Sequence, residues 1–199
     1  MRVKILLTSA IMMLSACFPA TDARSSSIVV SFTPDGFDCT ATVPANTPVT
    51  WYLVAILGGD AAGNGITGAE FRQVSTPGGW FVNAIPNPAA VVNIGNPIGP
   101  NGANIAFPSC QTGPSVLLYT VTGFATTQVT NAWLAIERHA TPNNPNFACP
   151  LLVICDPPVF PLVCVPPGGF AIINGDRCIC CPAIEAKSWS GVKALYSQH

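Results

Sequence analysis

Charge is what this sequence has least of. Eight Lys and Arg residues stand against nine Asp and Glu in 199 residues, a formal net charge of −1, and there are two histidines. With no basic patch to neutralise phosphates, nucleic-acid binding is disfavoured. No G-x-S-x-G marks a serine nucleophile. No pair of separated C-x-x-C knuckles occurs, which argues against a structural zinc site. Beyond the N-terminal segment no apolar run reaches membrane-spanning length, and no repeat of solenoid or propeller period is present.

What is present begins with an export signal. Arg2 and Lys4 precede a mostly apolar run from Ile5 to Ala16, too short for a permanent membrane span. The run closes on Leu14-Ser15-Ala16-Cys17, which resembles a bacterial lipobox and implies a signal peptide over 1–16 with Cys17 as the lipidated first residue. The competing reading is an ordinary signal peptide over 1–23, cut after Ala23, with Thr21 and Ala23 as the small residues at the site. A cut after Ala23 leaves six basic and eight acidic residues, a net charge of −2. Either way the sequence predicts an exported chain, an outer-membrane or cell-surface lipoprotein or a secreted protein, with any membrane contact made through the lipid.

Export changes how the cysteines read. Setting Cys17 aside leaves Cys39, Cys110, Cys149, Cys155, Cys164, Cys178, Cys180 and Cys181. An even number in an oxidising compartment predicts a disulfide framework whose connectivity sequence does not choose. Cys180 and Cys181 are adjacent and would point to opposite sides of an extended chain, so they should bond different partners.

Pro and Gly together supply 37 residues in short clusters, the punctuation of a turn-rich all-β protein. "TWYLVAIL" (50–57) reads as a buried strand. In "ITGAEFRQV", Ala69, Phe71 and Gln73 share one face and Glu70, Arg72 and Val74 the other. "VVNIGNPIGPNGANIAF" reads as two strands around a loop, and "SVLLYTVTGFAT" sets Val116, Leu118, Thr120 and Thr122 against Leu117, Tyr119 and Val121. "NAWLAIERHA" puts Trp133, Ala135, Glu137 and His139 opposite Leu134, Ile136 and Arg138, and "GGFAIIN" supplies a last strand. The expected fold is therefore all-β, one disulfide-stapled β-sandwich spanning 28–176.

Within it, residues 141–167 hold eight prolines, which argue against a central strand or helix interior over most of the stretch. The expectation is a Pro-rich wrap laid over the sandwich and held by disulfides, with only "LLVI" strand-like. Residues 177–199 form a Cys-rich tail. There Trp189, Val192, Leu195 and Tyr196 fall on one face of a short helix over 188–197, which must dock on something to be stable.

Candidate chemistry is sparse. Glu137 and His139 are two apart on one strand face, yet no nucleophile accompanies them. The carboxylates Asp35, Asp38, Asp60, Glu70, Asp156, Asp176 and Glu185 are scattered, and "GDAAGNG" fails the calcium-loop pattern. No catalytic residue, metal site or cofactor is assigned. For ligand binding, Trp80 in the loop-like "TPGGWF" is the best candidate for a surface stacking platform, against the general tendency of tryptophan to be buried.

The strands "TWYLVAIL", "GAEF", "NIAF", "LLYTVT" and "GGFAIIN" together resemble the cohesin-like and carbohydrate-binding β-sandwiches, with an Ig-like layout of short strands. "NIAFPSC", "PNNPNFACPL", "CDPPVF" and the W-x-x-V-K-x-L-Y ending resemble small exported bacterial proteins, a group with no assigned activity in which the ending looks like a shared sorting or docking tail. The first resemblance implies a non-enzymatic module for a protein or glycan ligand. The alternative is a structural surface or matrix component that self-assembles.

Overall fold

The computed structural model describes residues 25–166 and 170–175. Two sheets face each other around one core. The first is fully antiparallel and ordered β1 (Ser27–Ser31), β3 (Thr47–Ile56), β8 (Ser115–Ala125), β5 (Phe81–Pro86). The second is built on β4 (Ile66–Val74). On one edge of β4 lies β7 (Gly102–Gln111), flanked in turn by β6 (Val92–Asn96). On the other edge two strands follow end to end: β9 (Ala132–Glu137) pairs Arg72 to Val74, and β10 (Leu151–Ile154) pairs Ile66 to Glu70. β11 (Leu162–Cys164) forms a hairpin with β10, while β12 (Ala171–Ile173) and the two-residue β2 (Thr40–Ala41) extend from β9.

The all-β sandwich expected from the sequence is therefore present, and the strand assignments at β3, β4, β6, β7, β8, β9 and β12 hold. The Pro-rich wrap needs correcting. Residues 138–150 interrupt what is otherwise one strand along β4, because Pro142, Pro145 and Pro150 lack the N–H donors a ladder requires. Past Pro150 the pairing resumes: "LLVI", the strand-like part of the stretch, is indeed a strand, set between β4 and β11, and Leu162–Cys164, expected to lie in the wrap, pairs with it as a second one. Missed altogether were β1, whose "SIVVS" is buried at every residue, β5, which begins at the last residue of the loop-like "TPGGWF", and β2. "GGDAAGNG" folds into a five-residue helix, α1 (Asp60–Asn64).

A further correction concerns β8. Its alternation changes phase at Leu118: a bulge opposite Leu53 and Val54 inserts an extra residue, so Val116 and Leu118 are buried on one side of it and Tyr119 and Val121 on the other. The bulge lets Tyr119 reach Phe71 across the core, edge to face, with ring centroids 6.0 Å apart. Trp51, fully buried in β3, donates its indole N–H to Gln73 Oε1 at 2.7 Å, and Gln73 Nε2 donates to Thr76 Oγ1 at 3.0 Å. That pair ties the two sheets through a satisfied polar contact. Losing the indole would leave a buried acceptor empty, a cost of about 1–3 kcal/mol.

Among the described residues, two disulfides tie down the β10–β11 segment of the second sheet. Cys110 at the end of β7 bonds Cys155 just past β10, and Cys149 bonds Cys164 across the β10–β11 hairpin. Cys39 is disulfide-bonded as well. Cys17, Cys178, Cys180, Cys181 and the tail residues Trp189, Val192, Leu195 and Tyr196 lie outside the described residues.

Candidate binding faces

Because strand side chains alternate, each sheet has an outer face whose composition follows directly from register. On the first sheet three cross-strand rows point outward: Phe81–Phe124–Pro48, Asn83–Thr122–Thr50 and Ile85–Thr120–Tyr52. None of these nine side chains is a carboxylate, ammonium or guanidinium. Phe81 is 74% exposed, Ile85 48% and Phe124 41%. Between the two phenylalanines the surface dips into a shallow depression of about 270 Å³ along β5 and β8. The depression lies over Gly123, whose inner side is filled by Trp51: a Cβ at Gly123 would stand 3.1 Å from Trp51 Cζ3. The core tryptophan and the bare outer face thus meet at one glycine.

The second sheet's outer face is finished differently. Its rows run Ile94–Asn104–Glu70–Leu151–Cys164 and Val92–Ala106–Gly68–Val153–Leu162. Small residues at the centre and larger aliphatic ones at the margins make a groove of about 360 Å³. Gly68 is required there, since a Cβ would come within 2.8 Å of Ile105 O. One end is closed by the 138–150 loop, where Asn143 N lies 3.3 Å from both oxygens of Glu70 and Asn143 Nδ2 donates to Asn104 Oδ1 at 3.3 Å. Glu70 is 7% exposed although it points away from the core.

The residues singled out in the sequence fall as follows. Trp80 is a correction: only 7% exposed, it sits in the core with its indole N–H donated to Thr127 O at 3.1 Å, so its ring is not offered as a platform. Its loop context masked a residue that follows the tendency of tryptophan to be buried. Among the described residues the exposed tryptophan is Trp133, at 48%, on the outer side of β9 and edge-on to Phe170. Glu137 and His139 do not come together. Glu137 accepts from Arg72 Nη2 at 2.7 Å, while buried His139 accepts at Nδ1 from Thr141 N at 3.2 Å. Among the described residues no three His, Cys, Asp or Glu side chains cluster as metal ligands. Asp35 closes a local turn, accepting from Thr33 Oγ1 at 2.6 Å and Phe37 N at 3.1 Å. The Thr33 hydroxyl foremost, and then the Phe37 N–H, hold its carboxyl below the usual range. Burial pushes the Tyr119 hydroxyl well above its ordinary value.

No protein-family model matches the chain, and no curated protein matches it. Solved structures similar to it include the cohesin module of a family 33 glycoside hydrolase from Clostridium perfringens, at 13% identity and TM-score 0.49, over 76% of this chain and 97% of that one. The sixth cohesin of scaffoldin B from Acetivibrio cellulolyticus, solved with a Cel5 dockerin, matches at 10% identity and TM-score 0.48, over 77% and 100%. The seventh ScaB type I cohesin from Pseudobacteroides cellulosolvens matches at 8% identity and TM-score 0.45, over 78% and 96%. These are members of the family that the strand sequences resemble. The β-sandwich assignment rests on the sheet topology itself.

Proposed function

We propose that the chain is an exported, non-enzymatic binding module that docks a protein partner through the outer face of its first sheet. The observation that carries this reading is the row Phe81–Phe124–Pro48 on a flat, charge-free surface of three paired strands. Protein interfaces are depleted of charge at their centres and enriched in aromatic anchors ringed by polar side chains. Here two adjacent phenylalanines and Ile85 supply the anchors, and Asn83, Thr50, Thr120 and Thr122 the neutral hydrogen-bonding groups. Phenyl rings carry no polar handle, which favours a protein over a glycan as the occupant. The dockerin named with the scaffoldin B cohesin belongs to that protein, and the present reading rests on the face alone.

Oxidised Cys110–Cys155 and Cys149–Cys164 support export, because such bonds persist in oxidising compartments. Anchoring through a lipid on Cys17 is part of the proposal, and a mature mass beginning at Arg24 would replace it with free secretion. Docking itself is tested with Phe81→Ala and Phe124→Ala. Each should weaken retention of the partner by roughly 30-fold, the size of a hot-spot truncation, with little change in thermal unfolding. Unchanged retention would overturn the assignment, and loss of self-association instead would establish the self-assembling alternative.

A further inference from the structure

The groove on the second sheet holds the one buried carboxylate among the described residues, and its setting is incomplete. Glu70 can accept about four hydrogen bonds when ionised. Among the described residues its donor is Asn143 N alone, shared between both oxygens at 3.3 Å. The neighbouring cation does not serve it: Arg72, the next outward residue on β4, directs its guanidinium to Glu137 at 2.7 Å and to Pro100 O at 3.1 Å. A carboxylate so far removed from water is costly unless a donor or a positive charge meets it.

The rest of the groove describes what carries that charge. Cross-strand from Glu70 stands Asn104, whose Oδ1 is a second acceptor at the closed end. Away from this end the floor is Gly68 and Ala106 and the walls are Val92, Val153 and Leu162. Among the described residues Glu70 is the only charged one lining the groove, so none of them offers a partner to a second cation at the far end. The volume, about 360 Å³, lies at the small end of the range for ligand sites. A planar guanidinium pairs best with both carboxylate oxygens in one plane, but Asn143 N already bridges them. An ammonium is a compact charge that approaches from any open side.

The geometry points to a site for a lysine side chain presented by a polypeptide. The ammonium meets Glu70 and Asn104 Oδ1, the four-carbon stem lies on Gly68 and Ala106 between the aliphatic walls, and the backbone stays at the mouth by Val92 and Leu162. This face is separate from the one proposed for docking, so the two assignments stand or fall independently.

The test titrates the full oxidised chain with Nα-acetyl-lysine N-methylamide, following amide chemical shifts. Saturable binding in roughly the millimolar range is expected, with shifts at Gly68, Asn104 and Asn143. Glu70→Gln keeps the side-chain shape and an oxygen for Asn143 N, and should weaken binding at least about tenfold through loss of the charge. Ala106→Leu fills the floor without touching the carboxylate and should abolish binding, which keeps the test decisive if the Gln variant fails to fold. Norleucine in place of lysine should not bind. Equal binding to wild type and Glu70→Gln overturns the proposal, as does no saturable binding. Tighter binding of 1,5-diaminopentane, of the arginine analogue or of calcium ion than of the lysine compound overturns it in favour of that ligand.

Discussion

The two outer faces of this sandwich have the same strand geometry and opposite finishes. The face of the first sheet is regular, uncharged and open, with Phe81, Phe124 and Ile85 left to solvent. The face of the second is interrupted where β9 gives way to β10, closed at one end by the loop, tied by two disulfides that both hold the β10–β11 segment, and built around a buried carboxylate. The contrast separates two tasks. Covalent ties are placed where prolines prevent continuous pairing. The first sheet is ordered by long ladders, bulged once at Leu118, and by the core beneath it, and its outer surface is free for a partner.

The core is shared by both faces, so the largest expected effect is one that ignores the distinction. Trp51→Ala should cost about 3–5 kcal/mol by leaving a cavity under Gly123 and an unsatisfied Gln73, and both sheets should unfold together. Hydrogen exchange that rose in β3 and β8 while the second sheet stayed protected would break the picture of one core. Cys110→Ser combined with Cys155→Ser opens a bond spanning 45 residues, for which loop entropy gives about 4 kcal/mol. Exchange should rise first in β10 and β11, and a uniform rise over both sheets would contradict the localisation of the staples. Phe81→Ala, at a side chain that buries little of itself, should move stability by less than about 0.5 kcal/mol while weakening partner binding. A large loss of stability there would make Phe81 structural. The smallest effect concerns Asp35. Its folded-state carboxyl is held below the ordinary 3.8, so its contribution is complete above that value and is lost as pH falls through the depressed one. Acid titration of the Phe37 amide should report the turn loosening only in that low range, and loosening near neutrality would contradict the assignment.

The all-β sandwich was legible in the sequence because its main strands carry period-two patterns bounded by turns, and Gln73 falls on the same side as Ala69 and Phe71, as read. What was not legible has physical causes. β5 was hidden because "FVNAIP" is an edge strand with apolar residues on both sides, so no alternation sets it apart from the preceding loop. The phase change in β8 comes from a bulge defined by its partner strand, which no local pattern encodes. Trp80 looked exposed because its neighbours are turn formers, yet the indole is seated by Thr127, 47 residues away. Glu70 was visible only as one carboxylate among several. Its burial comes from Asn143, brought over it by an interruption that the prolines hinted at but whose resumption at "LLVI" only pairing with β4 explains.

The central claim is that the bare face of the first sheet holds a protein partner. It is tested most directly by placing a photo-crosslinking residue at Asn83, in the middle of that face, and a second one at Asp60 on α1 as a control, in the cells that make the protein. The account predicts one discrete adduct to a different protein from position 83, lost when Phe81→Asp is added, and none from position 60. An adduct to a second copy of this chain, the same adducts from both positions, or none from position 83 would contradict it.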